Sequence, residues 1–248
     1  MTTNEIAMAG QVCLITGASR GIGFHTALGL ARQGAHAILV GHHQDRGEKA
    51  LQQLERQAEI GSGDFVLADL SSLDGMRHLA DVVQEQYDRL DVLVNNVGGF
   101  FLTRQETVDG FERTFALDHL SYFVVTNLLL DLLRQSAPAR VVNVSSESHR
   151  GAQIHFDDLQ LESGYNGMRA YGQAKLANLL FTYELARRLD ETEITVNALH
   201  PGFVDTHIGR QNPLLRPFDA LARWLFAKSP KEGAQTSIYL ASSPQVED

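Results

Sequence analysis

At 248 residues, with 44% hydrophobic and 21% charged, the chain is long enough to bury a sizeable core within one large α/β domain. A formal net charge of -9 argues against nucleic acid as a partner, because no basic stripe is present to replace counterions on phosphates. Cys13 is the sole cysteine, which excludes an internal disulfide and fits a reducing cytosol. The opening MTTNE does not read as a signal peptide, and no apolar run reaches the roughly 20 residues of a membrane span, so the expectation is a soluble, cytoplasmic protein.

The first predicted element is a strand, Val12 to Thr16, apolar or β-branched throughout as a strand covered on both faces of a parallel sheet would be. A glycine turn follows, then a helix from about Ile22 to Gln33 that Gly34 closes. Gly17, Gly21 and Gly23 leave room for the backbone to lie against a pyrophosphate, with the helix N-terminus aimed at that anion. The same glycines serve equally well to cap the helix or allow close packing. Their spacing is Gly-x-x-x-Gly-x-Gly, not the commoner Gly-x-Gly-x-x-Gly.

His36 to Val40 is the second predicted strand. An acidic residue at its end would bind the free 2′-hydroxyl of NAD, but Gly41, His42 and His43 stand there, which favours NADP. Arg20 is the expected cation for the extra phosphate, with His42 assisting if protonated. Adjacent His42 and His43 side chains diverge, and no metal site is expected from them. A helix from about Asp45 to Ala58 precedes a third strand, Asp64 to Ala68. Asp69 then either accepts from the adenine amine or caps the next helix, Leu73 to Tyr87. A fourth strand, Val92 to Val94, runs into short amides and glycines suited to a wall beside a cofactor.

Strands alternating with amphipathic helices predict right-handed βαβ units and a Rossmann-like doubly wound parallel sheet in a single domain. TGASRGIG, the Asp69 after the third strand, Asn95-Asn96-Val97-Gly98 and Tyr171-x-x-x-Lys175, in this order, resemble the short-chain dehydrogenase/reductase family over almost the whole chain. KLANLLFTYELARRL, IHFDDL and LHPGFVDT look like its retinol dehydrogenase branch. The resemblance implies an NAD(P)-dependent oxidoreductase acting on a small lipophilic carbonyl or alcohol. It adds Ser19, Ile22, Leu70, Asn96 and Gly98 to the cofactor-binding set, and near the chain's end Pro201 and Gly202.

A long apolar helix is expected from Thr114 to Leu133, with Phe115, Leu120, Phe123, Val124, Leu128 and Leu132 as buried candidates. The fifth strand, Ala139 to Val144, delivers Ser145 and Ser146 to the sheet edge where ligands bind. Tyr171 and Lys175 lie four apart in a helical pattern from about Ala170 to Leu189, so both face the same way. A phenol with a pKa near 10 is a poor acid or base at neutral pH, and an adjacent ammonium favours its ionised form. Tyr171 is therefore the expected proton donor and acceptor, Ser146 the group that holds the substrate oxygen, and Lys175 a ligand of the nicotinamide ribose as well.

The family places an asparagine in the central helix, where this chain has Asp118. An aspartate there can anchor a proton relay to Lys175, but its charge partly neutralises the lysine and weakens its effect on Tyr171. The stretch between Ser146 and Tyr171 is expected to border the substrate mouth. After the sixth strand, Ile194 to Leu199, Val204 and Thr206 are expected near the nicotinamide carboxamide, and the apolar 203–228 segment is read either as a lid or as a packed amphipathic helix. A last helix from about Pro230 to Ser242 ends the pattern without the final edge strand usual in the family. A homodimer or homotetramer formed through the two long helices is expected from the resemblance. The rival reading is a nucleotide-binding regulatory or scaffold protein that has lost turnover.

Overall fold

The computed structural model describes residues 7–204 and 228–246. Six strands, β1 (Val12–Thr16), β2 (His36–Gly41), β3 (Ser62–Leu67), β4 (Val92–Asn95), β5 (Ala139–Val144) and β6 (Ile194–Leu199), form one parallel sheet in the order β3-β2-β1-β4-β5-β6. This is the doubly wound, Rossmann-like single-domain architecture that the alternating pattern predicts. The register runs Ile38, Leu14, Leu93, Val141 and Val196 side by side across five strands.

Because successive side chains of a strand point to opposite faces, β1 feeds two separate cores. Leu14 joins Ile38, Val40, Leu93 and Val141 beneath α3 (Leu73–Gln86) and the later central helices. Cys13 and Ile15 join Leu39, Val94 and Val142 beneath α1 (Gly21–Ala31) and α2 (Gln44–Ala58). The near-continuous apolar strand runs are explained by this double covering.

Four predicted elements differ. The third strand begins at Ser62 and ends at Leu67, slightly ahead of its predicted span. The expected Thr114–Leu133 helix is three helical pieces, α4 (Arg113–Phe115), α5 (Ser121–Leu128) and α6 (Leu130–Gln135), with a π-helical turn at Ala116–Leu120. A π turn takes an extra residue per hydrogen bond and rotates the helix beyond it. Tyr122, Val125, Leu129 and Leu133 consequently face inward, whereas Phe123 and Leu128, expected to be buried, are exposed. The helix α7 (Gly167–Arg188) begins a turn earlier than predicted because Asn166 caps it, its Oδ1 accepting from the Met168 and Arg169 N–H groups. The C-terminal helical stretch is two short pieces, Pro230–Gly233 and Gln235–Ser242.

Candidate active site

The C-terminal ends of the strands frame a cleft of about 620 Å³. Along its first wall the glycine turn after β1 enters α1. Gly17 and Gly21 hold φ of +68° and +62°, conformations that favour glycine. A Cβ at Gly23 would lie 2.5 Å from Asn96 Nδ2 and 2.6 Å from the Gly17 carbonyl oxygen, so that glycine is fixed by packing. Gly21 instead meets nothing within 4 Å and lines the open cleft. The N-cap residue Arg20 makes no side-chain cap for α1, whose first residues Gly21, Ile22 and Gly23 line the cleft. The glycines divide by position: Gly17 and Gly23 are required by close packing, a Cβ at Gly17 lying 2.9 Å from Val97 Cα, whereas Gly21 faces open space in the cleft. The residues present fit a dinucleotide's pyrophosphate.

Asn96 ties the two strand ends that flank the cleft. Its Nδ2 donates to the Thr16 carbonyl oxygen at 2.8 Å, and its N–H and that of Val97 donate to Thr16 Oγ1 at 2.9 and 3.0 Å. Ser19, Arg20, Ile22, His42, Asp69, Leu70, Asn96 and Gly98 all line the cleft, as do Pro201, Gly202 and Val204. Thr206 and residues 205–227 of the expected 203–228 lid lie outside the described residues.

The Asp69 alternatives are narrowed by hydrogen bonding. Its Oδ1 accepts from the N–H and Oγ of Ser71, which hold its carboxyl below the usual range against the opposing effect of burial. The helix cap belongs to Ser72, whose Oγ accepts from Gly75 N–H. His42 is less suited to the role of cation than expected. Desolvation, with Arg46 and then Arg20 and Arg113 nearby, lowers its pKa, while Asp69 opposes.

At the other end of the cleft, β5 delivers Ser146 and α7 delivers Tyr171 and Lys175, and all three line it. Ser146 Oγ accepts from Ser148 N–H at 3.2 Å, which fixes its rotamer. The neighbouring Ser145 is buried and donates instead to the Lys175 carbonyl oxygen at 2.9 Å. Lys175 Nζ lies 5.6 Å from the centre of the Tyr171 ring and 5.2 Å from that of Tyr122, and donates to the Val144 carbonyl oxygen at 3.3 Å.

Asp118 does not line the cleft. Fully buried within the π turn, it accepts from Gly99 N–H at Oδ1, 2.7 Å, and places Oδ2 3.4 Å from Lys175 Nζ without a hydrogen bond of good geometry. Burial pushes its pKa up to about 6, opposed chiefly by Lys175. Burial disfavours the charged lysine, yet Tyr122, Asp118 and Tyr171 together hold its pKa above the ordinary value. The Tyr171 phenol is raised by burial, Lys175 opposing and Asp118 adding to the rise, with the Ser146 hydroxyl a smaller opposing influence.

Several supporting residues stand outside any recognisable motif. Asn178 Nδ2 donates to the Asp118 carbonyl oxygen at 2.7 Å, and Tyr122 OH donates to the Val97 carbonyl oxygen at 2.9 Å. Spacing offers one signal for Asn178, which stands seven residues after Tyr171 and so lies on nearly the same helix face. Arg113 and His200 also line the cleft. His200 Nδ1 accepts from Glu147 N–H at 3.1 Å.

The short chain dehydrogenase family profile matches residues 11–214. Human retinol dehydrogenase 14 is 48% identical over 97% of this chain and 76% of its own length, and human retinol dehydrogenase 13 is 40% identical over 99% and 76%. Among solved structures, a Pseudomonas aeruginosa RhlG/NADP active-site complex superposes with a TM-score of 0.79 at 30% identity, covering 100% of this chain and 95% of that one. Sheet order, cleft and these matches agree: the chain belongs to the short-chain dehydrogenase family, as an NAD(P)-dependent oxidoreductase of small alcohols or carbonyls related to the retinol dehydrogenases.

Proposed function

We propose that the protein is an NADP-preferring reductase and dehydrogenase that interconverts a carbonyl and an alcohol on a small lipophilic substrate. When bound, the dinucleotide supplies or accepts the hydride. The glycine turn and the α1 N-terminus hold its pyrophosphate, Arg20 faces the ribose phosphate that distinguishes NADP, and Asp69 and Leu70 border the adenine. Tyr171 gives its phenolic proton to the substrate oxygen in reduction and takes one back in oxidation. Ser146 holds that oxygen by a hydrogen bond, and Lys175 steadies the ionised phenol and binds the nicotinamide ribose. Asp118 is the buried counter-charge of Lys175.

The observation that carries this reading is that Tyr171, Lys175 and Ser146 line the same cleft as the glycine turn. Phe100, packed edge-on to Tyr171 with ring centres 5.9 Å apart, and Leu117, Met168 and Phe203 give the substrate end an apolar lining, which supports a lipophilic, retinoid-like substrate. The test is fluorescence titration with NADPH and NADH, then single-turnover reduction of an aldehyde panel that includes retinal. Tighter NADPH binding and a rate that falls by at least about a thousandfold in Tyr171→Phe are expected. Equal binding of both cofactors would remove the NADP assignment.

A second reading, a nucleotide-binding regulator without turnover, draws on the raised Tyr171 phenol and on Asp118 beside Lys175. Cofactor binding with no hydride transfer at any pH between about 6 and 10 would favour it. For assembly, we propose a homodimer across the face where Phe123, Leu180 and Tyr183 are 47%, 49% and 70% exposed, since such an apolar stripe on two adjacent helices suits a second copy.

A further inference from the structure

Beside the main cleft lies a second pocket of about 330 Å³, walled by Ser148, Arg150, His155, Met168, Arg169 and Gly172. Ser148 and Met168 line both cavities, so the pocket opens off the substrate end of the cleft, away from the glycine turn. A Cβ at Gly172 would lie 2.9 Å from the Ser148 carbonyl oxygen. Helix α7 thus rests directly on the segment that carries Ser146.

The polar groups here are mismatched with one another. Arg169 Nε donates to His155 Nε2 at 2.8 Å, while Arg169 Nη2 faces His155 Nδ1 at 3.0 Å. A neutral imidazole has one acceptor nitrogen, so the second arm of the guanidinium meets an N–H. Asp158 is the carboxylate whose charge reaches Arg169, but its oxygens accept from the backbone N–H groups of Glu162 and Ser163. Arg150 is paired with Glu147 at 2.8 Å, an exposed contact that water screens and a competing anion exchanges. Two arginines and a histidine line the pocket with no carboxylate among its lining residues, and an apolar side chain, Met168, lines it and the cleft alike.

We infer that this pocket takes the carboxylate end of an elongated substrate whose reacting carbon lies at Tyr171, which makes ω-oxo carboxylates and the matching hydroxy acids the preferred class. This rests on the reading of Tyr171 and Ser146 given above. A carboxylate accepts from Arg169 in bidentate fashion and from the His155 N–H, replacing the donor-to-donor contact, and Arg150 adds positive charge. The apolar chain between the two ends lies along Met168 and Phe100.

The test compares straight-chain aldehydes with the ω-oxo carboxylates of the same chain length, from pimelic to sebacic semialdehyde, in wild type and in R150A and R169A. At the best length the wild type is expected to prefer the acid by about fivefold to tenfold in kcat/KM, the solvent-screened size of a charge-assisted contact. R169A should bring that ratio close to one while kcat/KM for the plain aldehyde stays within about twofold, and R150A should lower it less. Equal use of both substrates at every length, or a ratio that neither variant moves, overturns the inference. If no aldehyde is turned over, the catalytic reading has failed separately, and calorimetry with the dicarboxylates themselves decides. Weaker binding to R169A than to wild type then supports the pocket, and identical binding overturns it.

Discussion

Asp118→Asn tests how the buried charge pair sets the proton chemistry. The Asp118 carboxyl lies 3.4 Å from Lys175 Nζ, and the ammonium lies 5.6 Å from the centre of the Tyr171 ring. At an effective dielectric of about 20, a unit charge at 5.6 Å is worth about 3 kcal/mol to the phenolate, or about 2 pH units. A carboxylate beside that ammonium cancels part of the effect, so its removal should lower the Tyr171 pKa by on the order of one unit. The assay is the pH dependence of alcohol oxidation at saturating cofactor, where the rate rises as the phenol loses its proton. The alkaline midpoint should move to lower pH in the variant, and a bend near pH 6, where Asp118 takes up a proton in the wild type, should vanish. Stability gives an independent sign. With a folded pKa of about 6 against an ordinary 3.8, the native carboxyl keeps a proton that the unfolded chain releases. The wild type therefore loses stability relative to the variant as pH rises from about 4 to about 6, by at most about 3 kcal/mol. An alkaline midpoint that does not move, in a variant that binds cofactor normally, would refute the reasoning.

Gly23→Ala should destabilise the fold by about 1–3 kcal/mol and weaken NAD(P)H binding at least about tenfold, because its Cβ would meet Asn96 Nδ2 and the Gly17 carbonyl oxygen; thermal melting and fluorescence titration read both. Leu180→Glu with Tyr183→Glu should give a folded monomer in sedimentation if the exposed helix stripe joins two copies, and an unchanged mass would remove that interface. Cys13 is wholly buried, and burial, with Asp91 adding, raises its thiol pKa, so it should resist alkylation in the native protein and react upon denaturation. Rapid native labelling would contradict its position in the core.

Strand positions were legible because a parallel sheet covered on both faces demands short apolar runs, and the helix-to-strand alternation left one sensible topology. That the glycine turn, Ser146, Tyr171 and Lys175 meet at one cleft was legible for a different reason: the glycine turn and Tyr-x-x-x-Lys are local patterns, and Ser146 follows the end of a strand. The central helix was not. Its apolar residues occur on both faces, so periodicity could not tell Tyr122 and Val125, which pack inward, from Phe123 and Leu128, which do not. A π turn leaves no periodic mark either, because it lasts five residues. Asp69 illustrates another limit, since an Asx turn and a helix cap use the same side chain, and only the bonds from Ser71 and to Ser72 tell them apart. The Arg150, His155 and Arg169 cluster joins positions up to nineteen residues apart across a loop of irregular backbone, where spacing carries no geometric rule.

The π turn and the aspartate explain each other. Because the turn lies against α7, Asp118 reaches Lys175 with its carboxyl while Asn178 donates to its backbone carbonyl, so both polar ends of the residue are engaged by one helix. A lysine buried this deeply needs a counter-charge or strong acceptors to remain charged; Asp118 supplies the first beside the Val144 carbonyl and two aromatic faces, and an asparagine would keep an amide acceptor in its place. The carboxylate that faces Lys175 also reduces what the lysine's charge does for Tyr171. Gly98, which lines the cleft, lies against the pair: a Cβ there would stand 3.2 Å from Asp118 Oδ2 and 3.5 Å from Lys175 Nζ. On the proposed reading, rate and pH dependence answer to Asp118 and Lys175, and substrate choice to the segment from Ser148 to Arg169 in front of Tyr171.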